Sequence, residues 1–357
     1  MSDKKILITG SEGYFGTALK SYLTDKNIQI RCLDTNFFSD CFLFSEDLNK
    51  ELISKDTRYI TRDDLYGIDT VVHLSGISND PFGGLHSEDV YDSSVDYTKN
   101  LALLCKENNI NFIFASSCSV YGKTTGIEEL KEESPVNPQT GYSKNKLQIE
   151  NLLNDLSSDK FKPLIFRFST LYGLSPKMRF DIVINMLTGM AVSEKEIKLN
   201  SDGQAWRPFI HIKDACEAIY LGLNYVRDKN KNQIFNIGST NENYKIIEIA
   251  RLIEKIVDKS HVVFLNNEDK TVFADKKIQD GVDTRTYKVN FNKSKKYLGF
   301  EAKYKAKDGI IQMKEKFEEI NLNSEILKNI NFYRLQKMDQ LYKSGKIDKN
   351  LLWTNSR

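Results

Sequence analysis

Tyr142 and Lys146 stand four residues apart in Thr140-Gly141-Tyr142-Ser143-Lys144-Asn145-Lys146, a stretch that opens a predicted helix, so their side chains share one face. A free tyrosine, with a pKa of about 10, is a poor base at neutral pH. A neighbouring ammonium and an oxidised, positively charged cofactor ring would stabilise the phenolate. Lowering that pKa by roughly 3 units takes about 4 kcal/mol. Tyr142 then becomes a base for an alcohol or sugar hydroxyl. Ser117, at the tip of the apolar strand Asn111-Phe112-Ile113-Phe114-Ala115, can hydrogen-bond the same oxygen. A tyrosine–lysine pair on a helix is common by chance, so it gains weight only from what surrounds it.

The surrounding elements begin at the N-terminus. Ile6-Leu7-Ile8-Thr9 reads as a buried strand that breaks into Gly10-Ser11-Glu12-Gly13-Tyr14-Phe15-Gly16, after which Ala18, Leu19, Tyr22 and Leu23 recur at helical spacing. Gly10 allows the turn, Gly13 lets a ligand approach the backbone, and Gly16 lets helix and strand pack closely. The result is a helix N-terminus, opened by Tyr14 and Phe15, suited to a pyrophosphate. A strand-to-helix turn with no ligand has the same spacing. Gln29-Ile30-Arg31-Cys32-Leu33 ends at Asp34, about 20 residues on, where a carboxylate accepts from an adenosine ribose and repels a 2′-phosphate. That favours NAD over NADP; an ordinary strand-end turn is the alternative. Asp56, beside Thr57, is placed to accept from an adenine amino group or to sit in a solvated turn. Asp69-Thr70-Val71-Val72-His73 is a further strand whose small end, Leu74-Ser75-Gly76, lets a cofactor lie across it. His73 reads as a core histidine. Ser78 and Asn79 follow in a loop on the ligand side of such a sheet.

Strand–helix alternation continues with a helix over 87–108, the helix opened by Tyr142, and the strand Leu164-Ile165-Phe166-Arg167-Phe168 that leads to Thr170. The fold class is therefore α/β with a doubly wound parallel sheet of Rossmann type and a smaller C-terminal α/β lobe. The expected division is 1–173 for the dinucleotide, with 205–240 returning to it, 174–320 for substrate, and 321–357 as a helical extension. Helices are expected over 180–188, 213–225, 246–257 and continuously from Glu315, with Trp353 docking the tail on something.

With 357 residues, 40% hydrophobic and 28% charged, the chain suits one large or two joined soluble domains. A net charge of +2 argues against nucleic acid or a membrane surface as partner. No apolar run is long enough to span a bilayer, and the first strand leaves no room for a signal peptide. Five scattered cysteines and four dispersed histidines fit reduced cytoplasmic thiols and predict no metal site.

Thr9-Gly10-x-x-Gly13-x-x-Gly16, Ser117 with Val120-Tyr121-Gly122, and Tyr142-x-x-x-Lys146 together resemble the extended short-chain dehydrogenase/reductases. Within them the chain is similar to the NAD-dependent nucleotide-sugar epimerases and dehydratases, over roughly residues 4 to 305. The resemblance implies tightly held NAD, a nucleoside-diphosphate sugar oxidised at C4 to a transient ketone, and a homodimer formed through 87–108 and 142–156. It makes Tyr142 the base, gives Lys146 the phenol and the nicotinamide ribose, and lets Ser117 orient the hydroxyl. Arg207, in Trp206-Arg207-Pro208-Phe209, becomes a diphosphate clamp, with Arg285 and Tyr287 a second nucleotide stretch; Arg179 and Asn185 would reach the diphosphate or sugar. Sugar-nucleotide 4,6-dehydratases carry Asp-Glu where this chain has Cys118 and Ser119, so elimination lacks its acid–base pair. The glutamate of the uronic-acid decarboxylases is also missing. Thr170 replaces a common asparagine and Asp96 another. A 4-epimerase is thus expected, with a 4-dehydrogenase or 4-ketoreductase as the alternative. A chain that kept the fold only as a dinucleotide sensor would typically have lost the tyrosine or lysine.

Overall fold

Short apolar segments followed by helices have one efficient way to bury both faces, a parallel sheet between two helical layers. In the computed structural model, which describes residues 5–45, 51–78, 87–124, 128–226, 233–265 and 285–354 (backbone alone for 87–93 and 233), seven strands do this. They are β1 (Lys5–Thr9), β2 (Gln29–Asp34), β3 (Glu51–Ser54), β4 (Thr70–His73), β5 (Asn111–Ser117), β6 (Leu164–Phe168) and β7 (Gln233–Ile237). The sheet order is β7-β6-β5-β4-β1-β2-β3, and every pairing is parallel. All residues of β4 and β6 are buried, as expected for strands covered on both faces.

The helices are α1 (Tyr14–Asp25), α2 (Ser87–Glu107), α3 (Gly141–Leu156), α4 (Val183–Ser193), α5 (Ile212–Tyr225) and α6 (Ile246–Ile256). One sheet face packs Ile8, Ile30 and Phe166 against Leu19 and Leu23 of α1 and Ile219 of α5. The other packs Leu7, Val71 and Phe114 against Leu101 of α2 and Ile149 of α3. Strand order reverses between β1 and β4, which opens a crevice at the carboxyl ends of both. His73 is buried there between Thr9 Oγ1 (2.7 Å from Nδ1) and Thr98 Oγ1 (2.9 Å from Nε2), and burial pushes its pKa down to about 3. It is a neutral core histidine.

The second core lies past β6, where Phe180, Leu187, Phe209, Ile249, Ile310 and Phe317 cluster. Over it run the strand Trp206–His211, flanked by Thr170–Tyr172 and Asn243–Lys245, and a small pair, Glu196–Leu199 with His261–Phe264. No helix among the described residues is long and apolar enough to cross a membrane.

Two helix expectations change. α4 starts at Val183 rather than at 180, because Phe180 donates its N–H to Phe332 O at 3.0 Å, and the chain bends through 180–182 before the extended cap residue Ile182. The continuous helix from Glu315 is broken. Ala306–Glu319 ends where Asn321 takes φ 52°, and Asn323 and Asn329 cap short new turns before the helix Arg334–Lys343. Asparagine favours caps and tolerates the left-handed region, which defeats helix periodicity. Beyond Gly345, at φ 69°, the described residues 346–354 are not helical.

Candidate active site

A cavity of about 610 Å³ runs along the carboxyl ends of β1, β2 and β4 and reaches the second lobe. Its floor is the glycine turn, and the three glycines are there for different reasons. Gly10 has φ +73°, and a Cβ on it would meet Ser75 N at 2.7 Å. A Cβ on Gly16 would lie 2.2 Å from Gly10 O, so Gly16 packs on the turn itself more than on the strand. A Cβ on Gly13 would meet only Gly10 O, at 3.4 Å; its bareness leaves room on the cavity side. Gly13 caps α1 without any side-chain bond, and Gly13, Tyr14 and Phe15 line the cavity. Tyr14 is fixed by its hydroxyl, which donates to Gly173 O at 2.7 Å, and Phe15 by an edge contact with Phe168.

Asp34 ends β2 against the same cavity. Its carboxylate accepts from Glu12 N at 2.9 Å and Asn36 N at 2.8 Å. Burial raises its pKa against those two amides. A carboxylate offers about four acceptor sites, so lone pairs are left for ribose hydroxyls. Asp56, Thr57, Leu74, Ser75 and Gly76 line the adjoining wall, where Thr57 Oγ1 and Ser75 Oγ meet at 3.1 Å. An adenosine diphosphate half fits this donor set: open backbone amides for phosphate, a fixed carboxylate for ribose, small residues for close approach.

Tyr142, Lys146 and Ser117 line the cavity together. Thr140 closes a capping box with Ser143 and fixes the start of α3. Lys146, 8% exposed, donates Nζ to Ala115 O at 2.8 Å, on the strand that ends in Ser117. Its Nζ lies 5.6 Å from the Tyr142 ring centre. Desolvation lowers the lysine pKa to about 8, with Glu150 pulling the other way. Ser117 Oγ accepts from Ser119 N at 3.1 Å. Beneath them Arg167 of β6 and Glu150 of α3 form a buried ion pair at 2.7 Å, side chains 4% and 1% exposed, which ties the Tyr142 helix to the sheet. A phenol, an ammonium and a hydroxyl lining one cavity can pass a proton to and from an alcohol oxygen. Cys118 is turned away: Sγ donates to Arg167 O at 3.2 Å and burial pushes the thiol far up.

At the other end the polar side chains already have partners. Arg179 and Asp181 pair at 2.7 and 3.0 Å, and Arg179 Nη1 donates to Ser78 Oγ at 2.6 Å. Arg207 Nη1 donates to Trp206 O at 2.8 Å and to Arg285 O, with its guanidinium over Tyr287. Ser78, Thr170, Arg179, Arg207 and Arg285 line the cavity. Asn79 lies outside the described residues. Asn185 does not line it: fully buried, its amide accepts from Gly173 N and donates to Tyr14 Oη and Arg179 O. It braces the second lobe against α1 and has no polar atom left for a ligand.

Residues 6–238 of the 357 match the NAD dependent epimerase/dehydratase family. The chain belongs to that family. It is therefore an enzyme with NAD as cofactor, and the donor set described above is where NAD fits. An uncharacterized UDP-glucose epimerase of Bacillus subtilis, YtcB, is 26% identical over 319 residues, which cover 86% of this chain and 95% of the relative. The UDP-glucose 4-epimerase of the same organism is 26% identical over 330 residues, 84% and 92% of the two chains. Among solved structures, TunA, an NAD dependent NDP-hexosamine 5,6-dehydratase of tunicamycin biosynthesis, superposes with a TM-score of 0.74 at 20% identity, over 88% of this chain and 98% of that one.

The glycine spacing and the Tyr-x-x-x-Lys pair were visible in the sequence; other residues in and behind the cavity wall were not. Glu12, inside the glycine turn, pairs with Lys20 of α1 and with Lys177 at 2.7 Å. Burial raises its pKa, but these two lysines outweigh that and hold it below the usual carboxylate range. Ser119 lines the cavity beside Ser117. Arg334, Leu335, Met338, Asn350 and Leu351 reach it from the C-terminal extension. Only Trp353 had hinted that the tail docks.

Proposed function

We propose that the chain is an NAD-dependent nucleotide-sugar 4-epimerase acting through a transient 4-keto sugar. The observation that carries the reading is that Tyr142, Lys146 and Ser117 line the same cavity as the glycine turn. NAD, when bound, supplies a reversible hydride acceptor. Tyr142 Oη takes the proton of the C4 hydroxyl, the ammonium of Lys146 stabilises the phenolate that results, and Ser117 Oγ holds the sugar oxygen in line. After the keto-sugar has turned over, Tyr142 Oη gives the proton back to the C4 oxygen, and the face of C4 that received the hydride would set the other configuration. Residues 1–173 hold the dinucleotide and 174–320 the sugar nucleotide, with Arg207, Arg285 and Arg179 around the diphosphate, where a guanidinium binds phosphate oxygens in pairs.

Two features favour epimerisation over elimination. The positions after Ser117 are Cys118 and Ser119, with no carboxyl pair to protonate a leaving hydroxyl. The Cys118 thiol is buried, kept protonated and bonded to a carbonyl, so it supplies no second base. Ser119 Oγ is buried without a hydrogen-bond partner among the described residues and suits a sugar hydroxyl.

The test is incubation of purified protein with UDP-, GDP-, CDP- and dTDP-sugars. A 4-epimerase yields the C4 stereoisomer with no net absorbance change at the nicotinamide band. Stoichiometric NADH would assign a 4-dehydrogenase or 4-ketoreductase instead, and a dehydrated keto-sugar product would overturn the epimerase reading.

A further inference from the structure

The cavity that holds the glycine turn has an outer side made by residues some three hundred positions later. Asp34, Thr35 and Asp56 line the cavity, and so do Met338, Asn350 and Leu351 of the C-terminal extension. We propose that the C-terminal extension is a component of the dinucleotide site and forms the outer wall of its adenosine half. The inference rests on NAD lying in the family's cradle and is independent of the reaction performed on the sugar.

Two clasps hold this wall to the strand ends that receive adenosine. The first is Arg58. Asp56 fixes its guanidinium by accepting from Nε at 3.0 Å and Nη2 at 2.7 Å. The same guanidinium then donates Nη1 to Asn350 O and Nη2 to Leu351 O, the latter at 3.0 Å. Asp56 thus spends its carboxylate on orienting Arg58, and Arg58 reads two backbone carbonyls of the tail. Leu351 presents its carbonyl from a left-handed conformation, φ 57°, which a bulky residue keeps only where its surroundings over-determine it. The second clasp is Trp353, whose Nε1 donates to Thr35 O at 2.7 Å, one residue past Asp34. Its ring lies 5.4 Å from that of Phe37.

Between the clasps Met338, Leu341, Ile347 and Leu351 bury themselves with Phe37, Phe38 and Ile77 as partners. Lys337 pairs with Asp40 at 2.7 Å at one end of this seam, and Arg334 covers the Phe38 ring. Both clasps fall on residues that flank Asp34 or Asp56, the adenosine side. An added wall encloses a ligand already seated, so its effect falls on release more than on capture.

The experiment compares the full-length protein, a variant ending at Ser344, and the single substitutions Arg58→Met and Trp353→Ala, all without sugar nucleotide. NAD is loaded, and its release is timed by displacement with excess ADP-ribose; ADP-ribose affinity is measured separately on stripped protein. Release is expected to quicken at least tenfold in the truncated protein and about threefold in each single variant. ADP-ribose affinity should weaken in the same order, and the melting temperature of the stripped single variants should stay within a few degrees of the parent. Release and ADP-ribose affinity within twofold of the parent in both Arg58→Met and Trp353→Ala would overturn the proposal, whether or not the truncated protein folds. A lowered melting temperature with unchanged release would do the same, by making the tail a brace and not a wall.

Discussion

The two ends of the cavity are made of different materials. The dinucleotide end is backbone: a turn whose glycines leave space, a helix start without a side-chain cap, and a carboxylate pinned by two amides. The end proposed for the sugar nucleotide is side chains from distant segments, and those side chains are engaged, Arg179 with Asp181 and Arg207 with two carbonyls. The first end is complete before any ligand arrives. In the function proposed here the second exchanges internal partners for phosphate oxygens, so its binding free energy is a difference between two sets of charge-assisted bonds. One cofactor needs no adaptation across turnovers, whereas a substrate that enters and leaves on each cycle benefits from a site that can close over itself.

Variants can break or sharpen that contrast. The largest effect belongs to the group between the two ends: Tyr142→Phe should lower kcat by about 10³-fold while NAD stays bound, as judged by nucleotide released on denaturation. Next comes the side-chain end. Arg207→Met should lower kcat/KM by about 10- to 100-fold, the loss of a charged hydrogen-bonding group, with NAD affinity unchanged in a direct titration. Equal losses in both would mean that the ends are not separate. The backbone end should fail by addition. Gly13→Ala is expected to weaken NAD binding about 10-fold with an unaltered melt of the stripped protein, since a Cβ there meets nothing closer than 3.4 Å. Gly16→Ala, 2.2 Å from a carbonyl, should cost about 1–3 kcal/mol of stability in a denaturant titration. The smallest effect is in pH. The Lys146 pKa is lowered to about 8, so the ammonium that supports the phenolate is lost as pH rises through that value. kcat should halve near pH 8 on the alkaline limb, and Lys146→Arg should move that limb upward.

The same contrast decides what could be read from the sequence. β1, the glycine turn, α1 and Asp34 lie within thirty residues and are set by local apolar period and turn chemistry, so their placement was legible. So was the shared face of Tyr142 and Lys146 on α3. Asn185 had the residue type and the neighbourhood of a ligand contact, yet its amide is consumed by Tyr14, Gly173 and Arg179. Residue type does not tell which of several polar partners wins. Glu12 occupies a position that the glycine pattern leaves free, and its pairing with Lys177, 165 residues away, has no periodic signature. The tail was misread for a related reason: an amphipathic, lysine-rich composition suggested one helix, while the asparagines that cut it into turns act through caps and positive φ.

Thr35 and Trp353, which touch, are 318 residues apart in sequence. At roughly 5–20 residues per second on the ribosome, the strands and turn that receive the cofactor emerge about 15 to 60 seconds before the tryptophan that will lie beside them. During synthesis the nascent sheet offers an uncovered berth, and a stretch of polypeptide that appears much later fastens over it.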